Sequence, residues 1–327
     1  MKMGIEIIGI GSYLPEKILT NADLEKLVET SDEWITTRTG IKERRIASEI
    51  EATSDLAIKA AEKAISKAKI SPDEIDAIIV ATVTPDMFFP STSCLVQKGL
   101  KAKNAAAFDI SAACSGFIYA LSIAKDSIKS GTFKTVLVIG SETMSRVTDW
   151  QDRNTCVLLG DAAGAVILRK TDSPSDILSS YLGADGNYSD LLYMPGGGSR
   201  EPATYKTIDE RKHFLKMEGN KLFKIAVKAM ADSAQKAIAL AGLTCNDINL
   251  FIPHQANIRI IEAVAKHLDI SMEKVFLNIH KYGNTSSATT PVALEEAIIE
   301  GKVKKGDIVV LVAFGGGLTW GSVVIKL

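Results

Sequence analysis

The sequence lacks most of what marks a secreted, membrane-spanning or nucleic-acid-binding chain. Its 327 residues include four cysteines, Cys94, Cys114, Cys156 and Cys245, with no CxxC spacing. That excludes a disulfide framework and a zinc ribbon and fits a reducing cytoplasm. A formal net charge of −1 leaves no global field to attract nucleic acid or an anionic membrane. No apolar run approaches the ~20 residues of a membrane span. The amino-terminal MKMGIEIIGIGSYLPEK holds a glutamate within a short apolar run, so it reads as a first β-strand and not as a secretion signal. There is no HExxH motif and no His/Cys cluster, so no metal is expected. The run GIGSYL, residues 9–14, lacks the third glycine of a dinucleotide fingerprint. Prolines are few, at nine, and no Pro/Gly/Ser-rich or single-sign tract suggests disorder.

What remains is an alternation of apolar strands and amphipathic helices. IEIIGIGSYL, IDAIIVATV, NAAAFDI, TVLVIGSE, AAGAVILRK, INLFIPH, VFLNI, DIVVLVAFG and GSVVIKL read as strands. Helical spacing covers about 52–68, 91–99, 115–129, 219–241, 257–268 and 290–300. Strands this apolar, separated by helices, predict α/β sheets covered on both faces. The pattern also repeats. AEKAISKA followed by ISPDEIDAIIV matches AQKAIALA followed by LTCNDINLFIP at an offset of 173 positions, which places Lys63 on Lys236 and Ile75 on Ile248. TVLVIGSE matches DIVVLVAFG, and AAAFDI matches VFLNI, in the same order. The chain is therefore expected to form two similar halves, residues 1–172 and 173–327.

Ligands of open α/β sheets gather beyond the carboxyl ends of the strands, and three reactive side chains fall there. AAAFDI runs into SAACSGF, placing Cys114 at the start of a helix, where unpaired N–H groups favour a thiolate. Its small neighbours leave room for a substrate. INLFIP ends on His254, and VFLNI runs into HKYGNTSSA with Asn284. Taken singly, each has a plainer reading: a buried apolar thiol, a satisfied core histidine, a Gly-Asn turn. Together, a thiol and two neutral donors suit acyl transfer better than hydrolysis by a charged triad. The glycines of AFGGGLTWGS read equally as a turn or as a backbone N–H brought against a substrate oxygen.

DISAACSGF, HQANIRI, GNTSSAT and FGGGLTWGS, with SDEWITTRTGIKERR and GDAAGAV, resemble the signature segments of the β-ketoacyl-acyl carrier protein synthase III family. The resemblance covers almost the whole chain. It implies a thiolase-like fold: two duplicated βαβαβαββ halves in a five-layered αβαβα arrangement, as a homodimer. It implies decarboxylative condensation of a short acyl-CoA primer with malonyl-acyl carrier protein. Cys114 would be the nucleophile, with His254 and Asn284 bonding the malonyl thioester carbonyl. The N–H groups of Cys114 and Gly316 would form an oxyanion hole. No tightly bound cofactor is implied; the CoA thioester is a substrate. By the same resemblance Trp34 and Arg153 sandwich the adenine of CoA, Arg38 meets phosphate and Asn257 the pantetheine arm. Phe89, Leu158 and Leu159 shape the acyl pocket, with Phe89 contributed across the dimer, and Lys224 and Arg259 receive the acyl carrier protein. A solvated helix face explains Lys221, Lys224 and Lys228 as well. Leu159 departs from the phenylalanine of acetyl-preferring members, which leaves primer choice open.

Four alternatives accompany this reading. A related thiolase-fold ketosynthase of secondary metabolism shares the constellation. A synthetic thiolase needs a second catalytic cysteine in the carboxyl half, where FGGGLTWGS supplies glycine, and a 3-hydroxy-3-methylglutaryl-CoA synthase needs a nearby acidic base. A non-catalytic acyl-CoA-binding homologue would keep the pocket without the chemistry.

Overall fold

A computed structural model of the chain describes residues 4–327, so positions 1–3 of the expected first half lie outside the described residues. Nine strands carry the architecture: β1 (Gly4–Tyr13), β2 (Ala77–Ala81), β3 (Ala106–Ile110), β4 (Thr135–Thr143), β5 (Asp161–Thr171), β6 (Asp176–Ala184), β7 (Leu250–Pro253), β8 (Ile308–Gly315) and β9 (Thr319–Lys326). The helices that matter here are α1 (Asp32–Thr39), α2 (Thr53–Ala68), α3 (Thr92–Leu100), α4 (Gly116–Ser130), α5 (Gly219–Leu240), α6 (Ile258–His267) and α7 (Thr289–Ile299). The first sheet is ordered β1-β5-β4-β2-β3 and the second β6-β9-β8-β7, the same order short of one edge strand. The change of sheet falls between Thr171 and Asp176.

Side-chain alternation produces the layers, because successive strand residues face opposite sides. In the first sheet Ile78, Val80, Leu137 and Ile139 pack against α2 and α3, while Ile79, Val136 and Val138 turn inward. There they meet Phe117, Leu121 and Ala124 of α4, Ala293 and Leu294 of α7, and Val309 and Leu311 of the second sheet. Val310, Val312 and Val324 face outward onto α5 and α6. The result is helix, sheet, helix, sheet, helix, with α4 and α7 buried in the middle.

Glycine allows two of these layers to approach closely. A Cβ at Gly9 or Gly11 would lie 2.3 Å from the Ala64 carbonyl oxygen or 2.5 Å from that of Ala60, so the glycines of GIGSYL seat β1 on α2. Gly140 and Gly164 are register partners on β4 and β5. They form a flat patch on which residues 287–292 lie, with a Gly140 Cβ placed 2.5 Å from the Ser287 carbonyl oxygen.

The structure departs from the sequence reading at several points. VFLNI does not form a strand: Val275 makes one isolated bridge to Phe251, and Ile279 begins a helical turn, Ile279–Tyr282. The second half therefore has a reduced third strand. β6 carries only partial apolar alternation, with serines at 179 and 180, and was not predicted. CVLLG, apolar enough to read as a strand, is not one either, because Cys156 closes the single helical turn Arg153–Cys156. A ribbon of Lys17–Thr20 and Glu43–Ile46 is too short and too charged to read from periodicity.

Replacing Gly140 by alanine sets a methyl group against backbone that cannot swing aside. We expect Gly140→Ala to lower stability by about 1–3 kcal/mol, read as a fall in thermal midpoint. Gly186→Ala, where an added Cβ meets nothing within 4 Å, is the matched control.

Candidate active site

Cys114 lies in the turn Ala113–Ser115 between β3 and α4. Ala113 holds φ +47°, a left-handed conformation that only a tightly specified turn imposes on a residue with a Cβ. The end of β8 packs on this turn: a Cβ at Gly315 would stand 2.5 Å from the Cys114 nitrogen and 3.2 Å from its Cβ. Cys114 is 8% exposed. Burial pushes its thiol up to about 12; contact with the Ser286 hydroxyl pulls the other way, and the Glu142 charge adds to the rise. This corrects the expectation from the helix start. Desolvation of a buried thiolate outweighs the helix dipole, and the resting residue is a thiol.

His254 follows β7 directly, and its N–H donates to the Val312 carbonyl at 2.7 Å, which extends the β7–β8 pairing by one bond. It is 2% exposed, and burial lowers its pKa to about 3, so the ring is neutral. Nδ1 lies 2.6 Å from the Thr289 hydroxyl.

Asn284 sits on the turn that leads to α7. Its N–H donates to the Leu158 carbonyl at 2.8 Å and its carbonyl accepts from the Gly160 N–H at 3.0 Å. Its side-chain Oδ1 accepts from the Ser286 N–H at 2.9 Å, which assigns the amide orientation and leaves Nδ2 free to donate elsewhere. Cys114, Asn284 and His254 are thus gathered around residues 284–289: the thiol by Ser286, Asn284 by the Ser286 N–H, and His254 by Thr289.

Behind this turn is a residue that sequence reasoning missed. Glu142, at the end of β4, is fully buried. Its carboxylate accepts from the Thr82 hydroxyl at 3.1 Å, the Val83 N–H at 3.1 Å and the Thr84 hydroxyl at 2.6 Å. From the carboxyl half it accepts the Ser286 hydroxyl at 2.9 Å, with the Ser287 hydroxyl at 3.0 Å. Burial raises the Glu142 pKa, and the bonds from Thr84, Val83, Ser286 and Ser287 oppose that rise. The available signal was one carboxylate ending an otherwise apolar strand, TVLVIGSE, and the hydroxyl-rich run TSSATT.

The remaining expected site residues fall into three places. Trp34 and Arg38 lie on α1, and the guanidinium carbons of Arg38 and Arg153 stand 4.7 and 4.9 Å from the Trp34 ring centroid. Arg153 also donates to the Glu29 carbonyl at 2.9 Å. Asn257 caps α6, which packs on α1; its Oδ1 accepts the Arg259 N–H at 2.9 Å, leaving its amide donors free. Leu158 and buried Leu159 adjoin Asn284, Leu159 through a parallel bridge. Phe89 is 85% exposed and is not brought to the site within its own chain. Gly316 packs against Leu192, with a Cβ placed 2.7 Å from that carbonyl oxygen, next to the glycine that touches Cys114. Lys224 and Arg259 are exposed on α5 and α6, two helices in contact.

Two stacked sheets around buried central helices, with a thiol at the head of one of them, define a thiolase-fold condensing enzyme. The chain belongs to the 3-oxoacyl-[acyl-carrier-protein] synthase III family: the family profile matches residues 108–186, and the profile of its C-terminal part matches residues 238–327. It is 58% identical over 325 residues to a β-ketoacyl-[acyl-carrier-protein] synthase III of Caldanaerobacter subterraneus subsp. tengcongensis, covering 99% of this chain and 98% of the relative. The crystal structure of 3-oxoacyl-[acyl-carrier-protein] synthase III from Aquifex aeolicus matches with TM-score 0.92 at 54% identity, covering 99% of this chain and 100% of that one. The priming β-ketosynthase of the R1128 polyketide pathway matches with TM-score 0.91 at 34% identity, over 99% of this chain and 96% of that one.

A thiol titrating near 12 reacts as thiolate in a fraction that grows about tenfold per pH unit below that value. Alkylation of Cys114 by iodoacetamide, followed on its peptide, is expected to accelerate from pH 7 to pH 10 without levelling. A plateau near neutral pH would show a stabilised thiolate instead.

Proposed function

We propose that this chain catalyses the condensation that initiates fatty acid synthesis, joining a short acyl-CoA primer to malonyl-acyl carrier protein. In the first half-reaction the Cys114 sulfur attacks the primer thioester, and the carbon–sulfur bond to CoA breaks. The proton that leaves Cys114 is the one CoA thiolate takes up, so no external base is consumed. In the second, malonyl-acyl carrier protein loses CO₂, and the resulting carbanion attacks the acyl-cysteine. The sulfur released takes up one proton and returns as the thiol. Splitting the reaction in this way is covalent catalysis.

The observation that carries this reading is the polarity of the site. The Ser286 N–H fixes the Asn284 amide with its donor side free, and His254 is buried and neutral on the same turn. Two uncharged donors suit an enolate oxygen, where preorganised hydrogen bonds act most strongly. The N–H groups of Cys114 and Gly316 serve the tetrahedral intermediate. The close approach of Gly315 to the Cys114 nitrogen supports this role by putting that strand end beside the nucleophile.

The primer enters along α1. Adenine displaces Arg153 from the Trp34 face and stacks between them, Arg38 meets phosphate, and the free amide of Asn257 meets pantetheine. Lys224 and Arg259 offer charge to the acidic carrier protein. The chain acts as a homodimer: Phe88 and Phe89 are 81% and 85% exposed, and β3, with Phe108 outward, is an unpaired sheet edge. Phe89 then closes the partner's acyl pocket beside Leu158 and Leu159, the last leaving room for primers larger than acetyl. The absence among the described residues of any helix long and apolar enough to cross a membrane, together with four free cysteines, supports a place in the reducing cytoplasm. The second reading is a priming ketosynthase of secondary metabolism. The identity to the polyketide enzyme, 34% against 58% for the synthase III relative, favours the first.

The test is CO₂ release and β-ketoacyl product from malonyl-acyl carrier protein, with and without acetyl-, isobutyryl- or hexanoyl-CoA. Absence of primer-dependent product would overturn the proposal. Cys114→Ser is expected to abolish acyl-enzyme formation; normal acylation would place the nucleophile elsewhere. His254→Ala is expected to leave Cys114 able to take the acyl group while decarboxylation falls on the order of 10²–10³-fold. Intact decarboxylation would remove His254 from that role.

A further inference from the structure

We propose that Thr289 is a positioning residue that sets the tautomer of His254: its hydroxyl donates to Nδ1, so the ring proton sits on Nε2 and faces the reacting carbonyl. The inference rests on the donor role proposed for His254, because an imidazole with one proton can offer it from only one nitrogen.

Three features of the geometry point to this arrangement. The Thr289 hydroxyl has a single hydrogen and two acceptors in reach, His254 Nδ1 at 2.6 Å and the Ser286 carbonyl at 3.1 Å. The Ser286 carbonyl already receives the N–H of Thr289, so it does not depend on the hydroxyl. Of the two acceptors, Nδ1 at 2.6 Å is the nearer to the hydroxyl oxygen, against 3.1 Å for the carbonyl. Both partners are buried, His254 at 2% and Thr289 at 3% exposure, so water cannot substitute for either bond. Thr289 is also the first residue of α7. The positive end of that helix, like the burial, opposes an imidazolium and keeps the ring a neutral donor.

Thr289 is held in turn by Ser286. That residue adopts φ +50°, ties its hydroxyl to Glu142 and its N–H to Asn284, and offers its carbonyl to Thr289. One turn thereby sets which atom of Asn284 and which nitrogen of His254 present a proton.

The test is ¹⁵N NMR of the full chain labelled at histidine, with the His254 signals assigned by their loss in His254→Ala. The wild type is expected to show protonated Nε2 and unprotonated Nδ1. A proton on Nδ1 would overturn the inference. In Thr289→Val the Nε2-protonated form is expected to give way to a mixture, with malonyl decarboxylation falling on the order of ten- to a hundredfold and by more than acylation of Cys114 falls. Thr289→Ser, which keeps the hydroxyl, is expected to restore both tautomer and rate. A valine variant with wild-type tautomer and rate would overturn the proposal. If the wild type shows the Nε2 tautomer yet releases no CO₂ from malonyl-acyl carrier protein, the condensing function fails and the positioning by Thr289 stands.

Discussion

The active site depends on a buried carboxylate with no cation beside it among the described residues. Glu142 lies where the end of β4 meets the turn before α7, and burying a charge there is costly unless its oxygens are filled. They are filled from two directions: Thr82, Val83 and Thr84 from the amino half, Ser286 and Ser287 from the carboxyl half. Thr82, Thr84 and Ser286 turn their hydroxyl hydrogens inward to it, while the Ser287 hydroxyl also reaches the Ala81 carbonyl at 2.8 Å. Ser286 is thereby fixed with its backbone N–H aligned on Asn284. Cys114 follows a strand of the first sheet and His254 a strand of the second, and Glu142 holds the turn on which both rest.

Arg44 does the corresponding work on the other wall. It is fully buried, and burial lowers its pKa to about 10. Its guanidinium donates to the Val157 carbonyl at 2.7 Å, the Leu19 carbonyl at 3.2 Å and Asn21 Oδ1 at 2.9 Å. Asn21 passes the connection to Asp32 of α1 at 2.8 Å. The Val157 carbonyl begins the segment whose next residues hold the Asn284 backbone. One cation therefore joins the helix carrying Trp34 and Arg38 to the loop carrying Leu159 and Asn284. Arg44 and Glu142 are each solvated by dipoles of the protein and not by each other, so each orients several backbone groups where an ion pair would have satisfied both charges locally.

Much of the fold was readable because buried strands and amphipathic helices carry strong periodic signals. The repeat at 173 positions survives as the shared order of β1, β5, β4 and β2 with β6, β9, β8 and β7. What could not be read has physical causes. VFLNI looks like a strand by composition, but Gln255 takes the Asn278 and Ile279 N–H groups at 3.1 and 3.2 Å and turns the chain away after one bridge. β6 was hidden because its serines bond to α4 and α5: Ser180 pairs with Ser122, and Ser179 donates to the Ala237 carbonyl. Cys114 and His254 were legible as reactive types at strand ends, and Asn284 through its segment GNTSSAT, although the strand expected before it does not form. Glu142 was not, since it acts through Ser286 and Ser287, distant in the chain; Ser286 and Thr289 stand within GNTSSAT, but their partners Glu142 and His254 lie far away in sequence.

The electrostatics of the site follow from the same burial. Desolvation raises the Cys114 thiol and lowers His254, so both rest uncharged, and the helix start that was expected to create a thiolate is too weak to reverse this. For a decarboxylating condensation that balance is favourable. A charged imidazolium beside a carbanion is an acid strong enough to quench it, returning an acetyl thioester in place of the condensed product. In the proposed reaction a neutral ring held as a donor would support the enolate oxygen and give up its proton far less readily. The site excludes water less to strengthen a charge pair than to prevent one from forming.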